Sequence, residues 1–196
     1  MNGATAQRMA DPDAFLVWER AQSERHTYVR GEVFSMAGGS PRHSRLAARM
    51  IATLDEGLRG RPCDVHTSDL RLGLAGDHFA YADAVVVCRP VLLRPSTSDV
   101  VLNPKVVVEV LSRSTEGYDR GDKQAAYLAL PSVEHLVLVS QREARVELYT
   151  RQPDDTFHFS VHGPGSLVAL DRIAIRLSVD ALYEGVMDLP GDEATA

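Results

Sequence analysis

The chain has 196 residues, 44% of them hydrophobic and 24% charged, with a net charge of −6. That length suits one globular domain, and the acidic balance argues against a protein that coats nucleic acid through a broad basic surface. Two cysteines, Cys63 and Cys88, offer neither a disulfide framework nor a zinc-ligand spacing; no apolar run approaches the ~20 residues of a membrane span, and the absence of an apolar signal core near the N-terminus predicts a cytoplasmic location.

In chain order, residues 1–11 and 189–196 read as flexible ends, leaving a single domain over 12–188. A short helix is predicted from 12 to about 23, with Phe15, Leu16 and Trp18 available for burial. Residues 28–36 read as a hairpin turning at Arg30-Gly31. Gly38-Gly39-Ser40-Pro41 then breaks the chain and starts a helix over 42–58. Its Leu46, Met50, Ile51, Leu54 and Leu58 recur at helical spacing. Arg42, Arg45, Arg49, Arg59 and Arg61 make either a phosphate-contacting patch or a solvated helix face. Three β segments follow, at 63–74, 80–88 and 104–111, the last two separated by a Pro/Ser/Thr/Asp loop. After a turn at Ser114-Thr115-Glu116-Gly117, a second helix is predicted over 119–130 and stopped by Pro131. Strands at 134–140, 144–150 and 156–161 and a closing helix at 180–186 complete the pattern. The predicted class is α/β (α+β), a mixed central β-sheet flanked by helices.

Two of these segments each interrupt an apolar, β-branched run with one carboxylate. They are Tyr81-Ala82-Asp83-Ala84-Val85-Val86-Val87 and Pro104-Lys105-Val106-Val107-Val108-Glu109-Val110-Leu111-Ser112. A lone buried carboxylate costs several kcal/mol or more unless paired, hydrogen-bonded or bound to a metal. Two on neighbouring strands fit a divalent cation, with the Val110 carbonyl as a third oxygen and water and substrate phosphate completing the shell. Strand alternation puts Asp83 on a face with Tyr81 and Val85, and Glu109 on one with Val107 and Leu111. On the following helix, Asp119, Lys123 and Tyr127 stand at i, i+4 and i+8, close to one face. Asp119 begins the helix, and Lys123 is placed to reach the strand end bearing Glu109. An ammonium there orients a water or stabilises charge at phosphorus. Lys105 is the rival, but four residues at about 3.3 Å each separate it from Glu109 by some 13 Å. Taken singly, each residue has a plain structural use: an edge acid, a solvated lysine, a core tyrosine.

The ensemble resembles the Uma-two family of endonucleases, within the PD-(D/E)XK restriction-endonuclease-like superfamily. The resemblance runs from about Trp18 to Met187. Its markers are Tyr28-Val29-Arg30-Gly31-Glu32-Val33-Phe34-Ser35-Met36-Ala37-Gly38, Ser40-Pro41-Arg42-His43, Ser68-Asp69-Leu70-Arg71 and Tyr81-Ala82-Asp83. Further on come Val108-Glu109-Val110-Leu111-Ser112-Arg113-Ser114-Thr115, Asp119-Arg120-Gly121-Asp122-Lys123 with Tyr127, and Leu182-Tyr183-Glu184-Gly185-Val186. It implies a restriction-endonuclease-like fold and hydrolysis of phosphodiester bonds with Mg²⁺ or Mn²⁺, DNA being the expected substrate. By this resemblance Asp83 matches the first motif aspartate and Glu109 the acid of the second. Leu111 stands where the usual lysine would be, and Lys123 resembles that lysine relocated to the helix. His43 matches a recurring family histidine, either a substrate contact or a structural hydrogen bond at the helix start. Two positions depart from the pattern. Ala82 replaces the usual Pro, and Thr27 stands where many relatives have Glu, with Glu24 and Glu32 as displaced substitutes. The leading expectation is a metal-dependent DNA endonuclease, served by a homodimer if both strands are cut. The alternative is a catalytically weak nucleic-acid-binding or accessory protein that retains the nuclease fold. A third reading, an interaction protein whose strand acids serve local hydrogen bonds, predicts Asp83 and Glu109 far apart.

Overall fold

A computed structural model describes residues 7–35, 38–75, 77–113, 117 and 119–192. The predicted hairpin end at Met36, the turn residues Ser114, Thr115 and Glu116, and the Asp119 side chain lie outside the described residues. In chain order the elements are β1 (Gln7–Arg8), α1 (Pro12–Glu19), β2 (His26–Val29), β3 (Glu32–Ser35), α2 (Pro41–Leu58), β4 (Cys63–Thr67), β5 (Arg71–Leu74), β6 (His78–Tyr81), β7 (Ala84–Cys88), β8 (Val100–Val101) and β9 (Pro104–Leu111). A π-helical turn (Asp119–Lys123) runs into α3 (Gln124–Leu128). Then come β10 (His135–Ser140), β11 (Val146–Arg151), β12 (Phe157–His162), β13 (Leu167–Leu170), a 3₁₀ turn (Asp171–Ile173), β14 (Ile175–Ser178) and α4 (Val179–Tyr183).

The strands form two mixed six-stranded sheets and one ribbon. The first sheet has the order β1-β3-β2-β6-β5-β8, the second β12-β11-β10-β9-β7-β4, and β13 pairs with β14. The α/β class is therefore as expected, but the strands divide between two sheets where one was foreseen. Helix α2 begins at Ser40, whose hydroxyl accepts the His43 N–H, with Pro41 at its first position. Its buried stripe, Leu46, Met50, Leu54 and Leu58, packs on Val86, Val106 and Val108 of the second sheet. Burial of each such side chain stabilises the fold by roughly 2 kcal/mol. The opposite face of that sheet sends Val85, Val107, Leu111, Leu136 and Leu138 against Tyr127 of α3 and against Leu72, Leu74 and Ala80 of the first sheet. Helix α1 covers the far side of the first sheet, where Phe15 stacks on Tyr28 and Phe79. The β2–β3 turn needs two left-handed residues, Arg30 (φ 47°) and Gly31 (φ 91°), and glycine supplies the second without steric cost.

Several sequence expectations change here. The segments 63–74 and 80–88 each divide between sheets: β4 and β7 join the second, β5 and β6 the first. Ala82-Asp83 is the crossing between them. That crossing ends the period-two alternation, so Asp83 does not share a strand face with Tyr81. The Tyr81 hydroxyl instead turns toward α1 and donates to Glu19 Oε1 at 3.1 Å. The helix predicted over 119–130 is broken at Gly121 (φ −104°, ψ −109°) and ends at Leu128. The phase between Asp119 and Lys123 is thereby lost, while that between Lys123 and Tyr127 survives. Cys63 and Cys88 stand opposite in the β4–β7 register and form a disulfide, which the cysteine count had not indicated. Both expected loose ends carry specific contacts. Gln7 and Arg8 pair with β3, and Arg42 of α2 donates its N–H to the Pro190 carbonyl. No helix among the described residues is long and apolar enough to cross a membrane.

Candidate functional site

Strands β7 and β9 run antiparallel with Ala84 opposite Val108. Asp83 precedes Ala84 and Glu109 follows Val108, so the register brings the two acids together at one strand end. Parallel pairing of β9 with β10 puts Leu111 beside Ser140 at that same end. The start of α2 arrives there too, with His43 Nε2 3.3 Å from Asp83 Oδ2. The Val110 N–H donates to Asp83 Oδ2 at 2.7 Å, locking the carboxylate against β9.

Glu109 is 4% exposed, a burial that a lone charge would not tolerate. Its Oε1 lies 2.8 Å from the Lys123 ammonium and accepts the Tyr127 hydroxyl at 2.8 Å. Lys123 and Tyr127 are themselves buried, and their i, i+4 spacing aims both at one carboxylate. Arg120, on the same π-helical turn, is held by both oxygens of Glu147 on β11. Lys105 sits at the far end of β9, 3.8 Å from Glu134, and takes no part.

His43 collects these groups. Burial lowers its pKa, but its bond to Asp83, the charges of Asp83 and Glu109 and the Val110 backbone outweigh burial and raise it. Asp83, Glu109 and Val110 are the three oxygen donors nominated from sequence for a cation, and all three bear on the His43 ring. The set is hard and oxygen-only, which fits Mg²⁺ or Mn²⁺ with water filling the remaining positions. Among the described residues no group of three or more His, Cys, Asp and Glu side chains is spaced to hold a metal. A cation here therefore relies on the backbone oxygen.

Thr27 is buried on β2 and shares a strand face with Val29, whose cross-strand partner is His78. His78 is pushed down to about 4 by burial and then by the Lys123 and Arg30 charges. The Thr27 face is thus the one that carries His78, whose ring feels the Lys123 charge. Neither displaced acid replaces a glutamate at that position: Glu32 pairs with Arg8 at 3.4 Å and Glu24 is exposed. Ala82 is buried in the layer between the sheets. Of the five arginines, Arg42 is buried and donates to the carbonyls of Gln141, Met187 and Leu189. Arg49 binds the Ala181 and Leu182 carbonyls and Arg61 that of Ile173. These three tie α2 and the chain just after it to backbone carbonyls, which leaves Arg45 and Arg59 as the exposed members with no such side-chain bond among the described residues, Arg61 being exposed as well.

A family model described as "Putative restriction endonuclease" (Uma2) matches residues 12–179. An uncharacterized protein of Synechocystis sp. is 33% identical over 176 residues, covering 89% of this chain and 92% of its own length. A second uncharacterized protein of that organism is 29% identical over 141 residues, covering 71% and 80%. The crystal structure of "a putative nuclease belonging to DUF820" from Anabaena variabilis superposes with a TM-score of 0.69 at 18% identity, covering 89% of this chain and 98% of that one. This last likeness shows a common fold. Matched over most of its length by the family model and by a relative, the chain belongs to the Uma2 family.

Proposed function

We propose that the protein is a metal-dependent endonuclease that hydrolyses phosphodiester bonds in DNA. The observation that carries this reading is the register that brings Asp83 and Glu109 to one strand end beside the Val110 backbone and His43, with Lys123 bound to Glu109. The family description and the nuclease name of the structural neighbour support the hydrolytic class. Asp83, Glu109 and the Val110 carbonyl would hold Mg²⁺ or Mn²⁺, which neutralises charge on the scissile phosphate and makes water a better nucleophile at neutral pH. Lys123 puts a positive charge beside Glu109, where it steadies the attacking water and the charge building on phosphate oxygens. The water oxygen forms a bond to phosphorus as the bond to the leaving ester oxygen breaks. Tyr127 fixes the Glu109 carboxylate through its 2.8 Å hydrogen bond. Asp119 begins the turn that carries Lys123. A homodimer would present two such sites to the two strands of a duplex.

The test is cleavage of supercoiled DNA by purified protein in Mg²⁺ and in EDTA. Cleavage is expected with metal alone, and Asp83→Ala or Glu109→Ala should lower it by roughly 100-fold or more. Melting curves of both variants check that they remain folded. Undiminished cleavage by Asp83→Ala overturns the assignment. Buried Thr27, at the position where the family resemblance implies Glu, favours a second reading, a catalytically weak nucleic-acid-binding protein. Calorimetry separates the two: no heat with millimolar Mn²⁺ supports the second, and binding lost in Glu109→Ala supports the first.

A further inference from the structure

Beyond the cation ligands, the same strand end carries a second group of donors. Asp192 Oδ2 accepts from Gln141 Nε2 at 3.1 Å and from the Arg113 N–H. Gln141 is 1% exposed. Its Oε1 accepts the Ser40 hydroxyl at 2.7 Å, and its Nε2 also donates to the Leu111 carbonyl at 3.0 Å. Those two bonds fix which way the amide points, so its nitrogen faces Asp192. Ser40 caps the 18-residue helix α2, whose positive end lies alongside. Arg113 follows Glu109 by four positions on the chain that leaves β9.

A buried amide, a backbone N–H and a helix N-terminus beside the scissile position make a site for an anionic oxygen. We infer that Gln141 and the Arg113 N–H form a subsite for a phosphodiester oxygen of nucleic acid, which the chain's own Asp192 fills in the absence of substrate. The identity of that ligand rests on the nuclease reading, but the occupied donors do not. A carboxylate and a phosphodiester each bring one negative charge, so one can exchange for the other with the local charge unchanged. The acid is also tethered in place. Arg42 grips the Met187 and Leu189 carbonyls and donates its N–H to the Pro190 carbonyl, independently of Asp192. Tethering raises the effective concentration of the carboxylate at the subsite and weakens any competing ligand.

The experiment uses ¹⁵N-labelled full-length protein in EDTA, titrated separately with a dinucleoside monophosphate and with inorganic phosphate. The readouts are the Arg113 amide and the Gln141 side-chain amide. Asp192→Ala should bind the dinucleotide roughly 10-fold more tightly than wild type, with both amides shifting. Asp188→Ala removes an exposed acid from the same tail and should change binding less than about two-fold. Gln141→Ala in the Asp192→Ala background should abolish the gain. If that double variant does not fold, the Arg113 shift in Asp192→Ala alone decides. Equal gains from Asp188→Ala and Asp192→Ala would trace the effect to bulk charge and overturn the inference, as would no gain at all. A gain for inorganic phosphate without one for the dinucleotide overturns it too. Because no metal or cleavage enters the titration, a gain in a protein that never cuts DNA upholds the subsite and sinks the nuclease reading. Metal-dependent cutting with no gain does the reverse.

Discussion

Lys123→Met tests whether the lysine belongs to a buried site. The pair it breaks has side chains 7% and 5% exposed and a 2.8 Å contact between Nζ and Glu109 Oε1. At an effective dielectric of about 20, two unit charges at that distance attract by about 6 kcal/mol, which desolvation of both groups partly offsets. The variant leaves Glu109 buried with the Tyr127 hydroxyl still donating to it. Loss of one partner from a buried pair costs roughly 3–5 kcal/mol, or about 10 °C in Tm for a domain of this size. Glu109→Gln combined with Lys123→Met removes both charges and should cost less than the two single changes summed. We expect a coupling energy of about 3 kcal/mol from the double-mutant cycle, measured by urea unfolding in EDTA with the m-value unchanged. A coupling below about 1 kcal/mol is what a solvated surface pair gives. That result would put Lys123 in water and remove it from the site.

Three other outcomes follow from contacts elsewhere. His135 is fully buried, its Nε2 accepts the Arg172 N–H at 3.3 Å, and burial lowers its pKa to about 4. The unfolded ring titrates near 6.5, so this contribution is intact above about pH 6.5 and declines by about 1.4 kcal/mol per unit down to about pH 4. His78, also lowered to about 4, adds a second proton to that slope, and His135→Gln should remove one of the two in urea titrations across that range. Reducing the Cys63–Cys88 bond, which spans 25 positions, should cost at most about 3.5 kcal/mol, read from unfolding with and without reductant. Glu147 is 2% exposed between Arg120 and Arg145. Glu147→Ala should lose about 1–2 kcal/mol in a thermal melt, since the two arginines it leaves are partly solvated, and slow cleavage, because Arg120 anchors the turn that carries Lys123.

The readable parts of the sequence were those whose signal is local. Leu46, Met50, Leu54 and Leu58 announce α2 by spacing alone, and Ser40-Pro41 marks its start. Asp83 and Glu109 stand out because each interrupts an apolar run, and a simple antiparallel register then brings them together. The division into two sheets has no such signal. Val85 and Leu72 look alike in sequence, and nothing in a β-branched run says which sheet it will join. The short β13 and β14 strands, four residues each, fall below the length at which alternation is distinctive. Gly121 interrupts a helix through which Asp119, Lys123 and Tyr127 keep an i, i+4, i+8 spacing in sequence. Gln141 and Asp192 are separated by 51 positions and share no pattern, so only the folded chain pairs them. His43 is similar: the family resemblance marks the residue, but its contact with Asp83 crosses 40 positions and shows only in the fold.

A substitution at Thr27 tests whether its strand face belongs to the proposed cation site. Its strand face carries His78 opposite Val29, and His78 responds to the Lys123 charge. A glutamate at 27 would approach the same ammonium, while Lys123 already binds Glu109 at 2.8 Å. In the metal-free protein a second buried carboxylate sharing that ammonium costs several kcal/mol. If the proposed cation binds within reach of that face, the added oxygen would become a ligand and the sign would reverse. Thr27→Glu should therefore melt at a lower temperature than wild type in EDTA and show a larger rise in Tm on adding Mg²⁺, since a ligand that binds only the folded state stabilises it by mass action. An equal or smaller rise in the variant would mean that the Thr27 face lies outside the cation site. Among the described residues, Asp83, Glu109 and the Val110 oxygen would then remain the only ligands proposed for a cation.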